Sequence, residues 1–204
     1  MDLSTWLAFA VLETILCITP GPAVLFVVGT TLGRGRGAGL AATAGIVTGN
    51  TVYFILSATS LGAILLASYQ LFTAVRWIGA AYLIYLGLRA LFGRHEPLAG
   101  AAVVSARRNY AGGTLTQLSN PKALIFFTAL LPQFIDPHRW LVGQVTILGV
   151  TSQVIEGLVM VAYILLASGV ARSARGSMFA EVFERVAGVF LIGAALKLAL
   201  IKRG

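Results

Sequence analysis

The stretch Thr19-Pro20-Gly21-Pro22 decides the fold, because it interrupts an apolar run that extends from Trp6 to Val28. Its two prolines remove backbone donors and its glycine frees the backbone, so a helix ends there. In a water-soluble protein the stretch would be a loop. A second break, Asn120-Pro121-Lys122, interrupts another apolar run. We expect the two breaks to face each other at the centre of a membrane and to build a substrate site.

The composition is typical of a membrane protein. Of the 204 residues, 58% are hydrophobic and 11% are charged, and the mean hydropathy is +0.89, whereas soluble domains carry about 25% charged residues. The formal net charge of +8 could indicate nucleic-acid binding. However, the arginines lie singly or in pairs between apolar runs, without a basic stripe or an aromatic platform, so we expect no nucleic-acid partner.

Side chains for a disulfide or a metal site are scarce. Cys17 is the only cysteine, and His95 and His138 lie far apart in predicted loops, so we expect no disulfide, no metal and no cofactor. Cys17 is interpreted as a small apolar residue of the first span. No Lys or Arg precedes Arg34, whereas a signal peptide begins with a basic region, so we expect the first span to remain in the mature protein.

Six apolar stretches reach, or nearly reach, the roughly 20 residues that a membrane-spanning helix needs. They cover residues 6–29, 39–66, 71–91, 112–134, 141–170 and 186–201. The loops between them leave no room for a soluble domain. We therefore predict an all-α membrane protein with six transmembrane helices, in which residues 1–204 form a single polytopic membrane domain.

The two halves of the chain, about 1–92 and 109–204, look related. Pro20 and Pro121 each break the first span of a set of three, and Arg76-Trp77-Ile78-Gly79 aligns with Arg185-Val186-Ala187-Gly188. Because three is an odd number, the halves would insert in opposite directions. This predicts a 3+3 inverted repeat with broken helices 1 and 4, an architecture in which secondary transporters place substrate at the midplane.

The distribution of Lys and Arg predicts the orientation, because these residues are enriched in cytoplasmic loops. Nine of them lie in the loops after spans 1, 3 and 5, and five lie on the other side. We therefore expect a multi-pass protein of the bacterial inner membrane with both termini outside. The nine are Arg34, Arg36, Arg89, Arg94, Arg107, Arg108, Arg172, Arg175 and Arg185.

Charged side chains inside the spans are the main candidates for a site. Lys122 starts the second half of span 4, and an intramembrane cation costs at least about 2.5–3.5 kcal/mol on insertion scales, so it needs a partner or a function. Glu156 lies at the centre of span 5, with Gln153 on its face. It could form an ion pair with Lys122, bind an ammonium group or carry a proton. Glu13, one to two turns before the first break, is a second candidate for coupling.

The half-helices that begin after the two breaks would point positive dipole ends at an anion such as a carboxylate. Asn50 in span 2 either joins helices or lines the cavity. Without the phosphate-binding motif G-x-x-x-x-G-K-[ST], transport would run on ion or substrate gradients. The predicted substrate site comprises Thr19, Pro20, Gly21, Pro22, Asn50, Asn120, Pro121, Lys122, Gln153 and Glu156, with Glu156 and Glu13 as coupling residues.

Several short motifs follow one another along nearly the whole chain. They are Pro20-Gly21-Pro22, Gly33-x-x-x-Gly37-Ala38-Gly39-Leu40, Gly45-x-x-Thr48-Gly49, Trp77-x-Gly79-Ala80-Ala81-Tyr82-Leu83-x-Tyr85-Leu86-Gly87, and Asn120-Pro121-Lys122-Ala123 followed by Leu131-Pro132-Gln133-Phe134. In this order and spacing the chain resembles the lysine exporter and homoserine/threonine exporter (LysE/RhtB) family of bacterial amino-acid exporters.

The resemblance implies a proton-coupled antiporter that exports amino acids or their derivatives, with neutral homoserine-, threonine- or leucine-like substrates favoured. Glu156 resembles the acidic residue that some relatives carry in the fifth span. Ala23, where many members have Asn or Asp, and Glu13 both depart from the family pattern and leave the substrate open. The expected partners are an amino acid, the proton and the lipid bilayer, and a homodimer is left open. The alternative is a non-transporting membrane enzyme or assembly factor, although no catalytic cluster such as a Ser–Lys dyad is visible.

Overall fold

The structure, a computed structural model, describes residues 1–58, 69–92, 105–136, 138–171 and 176–200. These residues are all-helical, as predicted, and a π-helical turn (Phe126–Leu130) and a 3₁₀ turn (Leu131–Phe134) follow the sixth helix. The α-helices are α1 (Leu3–Ile18), α2 (Pro22–Arg34), α3 (Arg36–Ala58), α4 (Tyr69–Phe92), α5 (Ala106–Leu118), α6 (Pro121–Ile125), α7 (Leu141–Ala171) and α8 (Gly176–Leu200).

Two of the described helices are long and apolar enough to cross a membrane by themselves. They cover Arg36–Leu56, with a mean hydropathy of 1.4, and Leu141–Ala171, with a mean hydropathy of 2.1. Helices α1 and α2 qualify together as one span that is bent by 49°. The apolar parts of α4 and α8, Ala80–Phe92 and Arg185–Leu196, are shorter. The count of six spans therefore stays a prediction, and residues 59–66 of predicted span 2 lie outside the described residues.

Local chemistry explains where the helices depart from the predicted spans. The expected loop around residues 33–37 contracts to Gly35, whose φ of +83° is a left-handed conformation that favours glycine. Helix α8 begins at Gly176, well before the predicted start at residue 186. After the second break the helical backbone runs from Pro121 to Phe134, first as α6 and then as the π-helical and 3₁₀ turns. Pro132 has no N–H to continue the α-helical ladder, so the chain passes into π and 3₁₀ geometry.

Contacts between helices show in which direction each one runs. Helices α1 and α7 are parallel, as are α3 and α5, whereas α3 is antiparallel to α7 and α4 is antiparallel to α8. The contacts are Trp6–Thr151 and Ile18–Tyr163 for α1 and α7, Gly45–Tyr110 and Tyr53–Leu118 for α3 and α5, Arg36–Ser168 and Asn50–Glu156 for α3 and α7, and Gly87–Ile192 and Leu91–Gly188 for α4 and α8.

Glycines allow α3 and α5 to approach closely. A Cβ atom added at Gly45 would lie 2.0 Å from the carbonyl oxygen of Tyr110, and one added at Gly113 would lie 2.1 Å from that of Ala42. Small residues thus permit a close helix–helix contact here. This approach places Asn50 of α3 beside α5.

One end of the molecule is basic. Arg34, at the end of α2, donates a hydrogen bond of 2.8 Å to Asn109 at the start of α5. Arg36 donates one of 2.8 Å to Ser168 near the end of α7. The end of α2, the start of α5 and the end of α7 therefore lie at this end, as the orientation argument requires, while the side of the membrane on which it lies stays a prediction.

The opposite end carries an exposed ion-pair network. Arg139 forms salt bridges with Asp2 at 2.9 Å and with Asp136 at 3.3 Å. The hydrogen bond and charge of Arg139 lower the pKa of the Asp2 carboxyl, and the same contacts raise the pKa of the Arg139 guanidinium. The network ties the start of α1 to the segment that precedes α7.

A buried polar layer separates two apolar cores. The core toward the basic end is aliphatic and includes Val27, Leu32 and Ile46. The other is rich in aromatic rings, and Phe126 and Phe127 meet there edge to face with ring centroids 5.0 Å apart. The layer between them is named here the central polar cluster, and its members are Glu13, Cys17, Asn50, Gln117, Asn120, Lys122, Ser152 and Glu156.

Candidate functional site

The first break leaves backbone carbonyls without their helical donors. In a continuous helix, Leu16 and Ile18 would accept hydrogen bonds from residues 20 and 22, which are prolines and have no N–H. Lys122 Nζ donates to the Leu16 carbonyl at 2.7 Å and to the Thr19 carbonyl at 2.9 Å. The Tyr163 hydroxyl donates to the Ile18 carbonyl at 2.6 Å. The end of α1 is therefore capped by side chains from the second half of the chain.

The second break is closed mainly by its own neighbours. The side-chain oxygen of Asn120 accepts a hydrogen bond of 3.0 Å from the Lys122 backbone N–H and so caps α6. The Asn120 N–H donates to the Gln117 carbonyl at 3.0 Å. The Tyr53 hydroxyl donates to the Leu118 carbonyl at 2.8 Å.

The two breaks are in direct contact, as the sequence led us to expect. The ammonium group of Lys122, from the second break, caps the carbonyls of the first. A Cβ atom added at Gly21 would lie only 3.5 Å from Lys122 Nζ. Lys122 is therefore the physical link between the two interrupted helices.

A chain of side-chain amides joins the second break to Glu156. The Asn120 amide donates to Gln117 Oε1 at 3.1 Å, and Gln117 Nε2 donates to Asn50 Oδ1 at 2.5 Å. Asn50 Nδ2 in turn donates to the Glu156 carboxylate. All four side chains are buried, with exposed fractions of 5% or less. Every amide donates in the same direction, toward the carboxylate, so the chain holds the acceptor oxygen of Glu156 in place.

A second buried acid lies beside the first. Glu13 of α1 is 4% exposed and accepts a hydrogen bond from the hydroxyl of Ser152, one turn before Glu156 on α7. Both acids interact electrostatically with Lys122. Among the described residues, however, neither forms a salt bridge with Lys122 within 4.0 Å, because the ammonium is held by carbonyls instead. The ion pair considered for Glu156 and Lys122 is therefore absent from this state.

Two cavities border the breaks. The small cavity, of about 40 Å³, has room for water but not for an amino acid. The large cavity, of about 480 Å³, is mostly apolar and lies between the breaks and α8. Lys122 borders both. The small cavity is lined by Glu13, Leu16, Cys17, Ala23, Val24, Asn50, Gln117, Asn120, Lys122, Ala123, Phe126, Phe127, Glu156 and Met160, and the large one by Leu16, Pro20, Gly21, Pro22, Pro121, Lys122, Ile125, Phe126, Leu130, Phe190, Gly193 and Ala194.

Most of the residues predicted for the site border one of these cavities. Glu13, the second coupling candidate, lines the small cavity with Asn50, Asn120 and Glu156. Thr19 takes part through its backbone carbonyl, because its hydroxyl donates back to Ile15. Three prolines and one glycine of the breaks line the large cavity, namely Pro20, Pro22, Pro121 and Gly21.

Gln153 requires a correction. Its amide donates to the Val47 carbonyl at 3.1 Å and to the Thr51 hydroxyl at 2.9 Å, so it joins α7 to α3 and borders neither cavity. Residues three apart on a helix point in directions that differ by about 60°, so Gln153 meets Val47 and Thr51, whereas Glu156 meets Asn50 of the same helix and lines the small cavity. Sequence reasoning missed Ser152 and Gln117, although each lies one turn from a predicted residue, four before Glu156 and three before Asn120.

The two half-helix N-termini expected at the breaks differ in their caps. Helical backbone follows the second break from Pro121 to Phe134, but the side chain of Asn120 already caps its N-terminus. Helix α2 has 13 residues and begins at Pro22, and its N-cap residue Gly21 supplies no side-chain cap. Ala23 and Val24, in its first turn, line the small cavity. Of these two N-termini, that of α2 is the one without a side-chain cap.

Comparisons with known proteins place the chain among membrane exporters. A profile of the LysE type translocator family matches residues 14–202. The chain is 32% identical to a homoserine/homoserine lactone efflux protein of Salmonella typhimurium, with 96% of this chain and 97% of the relative covered. It is 28% identical to a leucine efflux protein of the same organism, with 91% and 90% covered. An uncharacterized membrane protein of Vibrio cholerae is 32% identical, with 99% and 100% covered. No solved structure matches.

Proposed function

Because the chain belongs to the LysE type translocator family, we propose that it exports neutral amino acids or their derivatives from the cytoplasm, driven by the proton motive force. The relatives named for homoserine, homoserine lactone and leucine efflux support this substrate class. Within the described residues, nothing favours the alternative of a non-transporting enzyme or assembly factor.

The observation that carries the proposal is the meeting of two interrupted helices at a buried polar cluster. An amino acid has a carboxylate and an ammonium group that must both be satisfied once water is removed. Lys122 and the uncapped N-terminus of α2 are suited to the carboxylate. Glu156 is suited to the ammonium group or to a coupling proton, and Glu13 is a second proton carrier. The large, mostly apolar cavity would receive an uncharged side chain.

The transport cycle would require the closed arrangement described above to open toward each end in turn. The small cavity cannot hold an amino acid, and apolar cores lie on both sides of it. We propose that the halves rock as an inverted repeat. The alternating helix directions support this, as does the pairing of equivalent tyrosines, because Tyr163 caps the first break and Tyr53 caps the second.

The proposed location is the bacterial inner membrane, with both termini outside and the basic end in the cytoplasm. Cysteines introduced by Asp2→Cys or Gly204→Cys, in a Cys17→Ser background, test the orientation. An impermeant thiol reagent should label both in intact cells. Protection of both until the cells are opened would reverse the orientation without affecting the proposed transport activity.

The activity itself is tested by efflux from cells loaded with dipeptides, which release their amino acids in the cytoplasm. We expect cells that express the protein to lose neutral amino acids faster than cells that carry an empty vector. An uncoupler should remove the difference. Equal rates across a broad panel of amino acids would contradict the proposed export, and export that survives the uncoupler would contradict its proton coupling.

A further inference from the structure

The carbonyl end of α1 has the properties of an ammonium site. The two prolines deprive it of backbone donors, and the carbonyls of Leu16 and Thr19 converge on one nitrogen, Lys122 Nζ, at 2.7 and 2.9 Å. The C-terminal end of a helix also carries partial negative charge. Glu13, one turn earlier on the same helix, adds a full negative charge if it is ionised.

Lys122 occupies this site as a tethered primary ammonium group. Its side chain crosses from the second break to the first, and its nitrogen binds carbonyl oxygens although two carboxylates interact with it electrostatically. Lys122 also borders both cavities. If its side chain moved aside, the site it leaves would be open to a small amine arriving through either cavity.

We propose that the carbonyl end of α1 is the binding site for the ammonium group of the substrate, and that Lys122 fills it while no substrate is bound. This inference rests on the proposed export function and specifies how the amino group is recognised. The substrate ammonium takes the place of the Lys122 ammonium, so the Leu16 and Thr19 carbonyls keep a charged hydrogen-bond donor. Lys122 is thereby released to pair with the carboxylate of the same substrate. Glu156 then remains available to carry the proton.

The geometry favours primary amines. Two carbonyl oxygens on one side of a nitrogen require at least two N–H donors, which a primary ammonium group has and a quaternary one lacks. A quaternary ion has the same charge but no N–H donor. Binding of a primary but not a quaternary ammonium ion therefore distinguishes this carbonyl site from a general attraction of cations to buried acids. Lys122→Ala removes the tethered amine and leaves the site open to a free one.

Chemical rescue tests the inference. The full-length Lys122→Ala protein, purified in detergent, should unfold several degrees below the wild type, because carbonyls that lose their donor are costly. Methylammonium chloride should restore a large part of this loss. Tetramethylammonium chloride at the same concentration should not, and neither salt should raise the midpoint of the wild type comparably. Lys122→Met, which keeps most of the side-chain volume, serves if the alanine variant does not fold.

The outcomes are distinct. Equal effects of the two salts, equal effects on wild type and variant, or no effect of methylammonium on either folded variant would each overturn the site. If both variants fail to fold, methylammonium but not tetramethylammonium should instead change the ¹⁵N chemical shift of Lys122 Nζ in the wild type, and an unchanged shift would overturn the site. Rescue by methylammonium in the absence of any amino-acid efflux would support the ammonium site and reject the proposed function. Efflux in the absence of rescue would support the proposed function and reject the ammonium site.

Discussion

The two helix breaks look alike in sequence but are closed in different ways. The first is closed by Lys122 and Tyr163, which reach it from the other half of the chain. The second is closed by Asn120, which belongs to the break itself, and by Tyr53. The first break therefore depends on a charged contact, which we propose the substrate replaces, whereas the second is held by neutral amide and hydroxyl groups.

The difference has a local cause. The N-cap residue of α2 is Gly21, which has no side chain, and the Thr19 hydroxyl donates back to the Ile15 carbonyl at 2.7 Å, so α2 has no side-chain cap. Asn120 has both an acceptor and donors, and uses the acceptor to cap α6 and a donor to bind Gln117. The second break thus caps its own helix N-terminus, whereas the side chains of the first break cap neither of its helices.

The largest effect on efflux is expected from Glu156→Gln. This variant tests whether Glu156, to which the amide chain from the second break leads, couples transport to protons. Glutamine can still accept the hydrogen bond of Asn50 but cannot carry a proton, so proton-driven efflux should be abolished while folded protein remains in the membrane. Efflux and membrane abundance are measured together. Asp136→Asn, which removes a carboxyl group outside both cavities, is the control and should leave efflux intact. Normal efflux by the Glu156 variant would rule out its coupling role.

A smaller effect is expected from Gly113→Ala, which tests the close packing that supports the second break. The added methyl group would meet the Ala42 carbonyl, so thermal unfolding in detergent should show a loss of about 1–3 kcal/mol. Gly157→Ala is the matched control, since a Cβ atom there meets nothing within 4 Å. Equal stability of the two variants would show that the contact between α3 and α5 is less tight than described.

The paired variants Tyr163→Phe and Tyr53→Phe compare the two breaks directly. Each removes one hydroxyl donor from a carbonyl at the end of a helix, so each should cost about 1 kcal/mol of stability. Only Tyr163→Phe should also raise the KM for efflux, because it loosens the carbonyl end that we assign to the substrate ammonium. A rise of similar size in both variants would remove the proposed distinction between the breaks.

The smallest effect is expected at the exposed end. The pKa of Asp2 is lowered in the folded protein, so any stability that it contributes is present above its unfolded pKa and lost as the pH falls through its folded value. Because the pair with Arg139 is exposed, Asp2→Asn should leave the unfolding midpoint at neutral pH almost unchanged. A titration of the midpoint from neutral to acidic pH checks this. A large loss at neutral pH would show that the network is structural.

Sequence reasoning located the breaks and the two buried acids, but it misjudged several side chains around them. Gln153 was assigned to the site and instead joins α7 to α3, whereas Ser152 and Gln117 were missed. A polar pattern on a helix indicates a face only to within about one residue, and the neighbouring helices decide which member reaches the cavity. The geometry after Pro121 was also missed, because the effect of Pro132 on that segment was not considered.

The sequence by itself determined where the helices break and which carbonyls lose their donors. That effect is covalent, since a proline lacks its N–H whatever surrounds it. Only the tertiary structure decided which groups replace those donors. Leu16 and Lys122 lie far apart in the chain, and their contact depends on how the two halves are packed together. The first break therefore follows from local chemistry, while its closure by a cation from the second break follows from the fold.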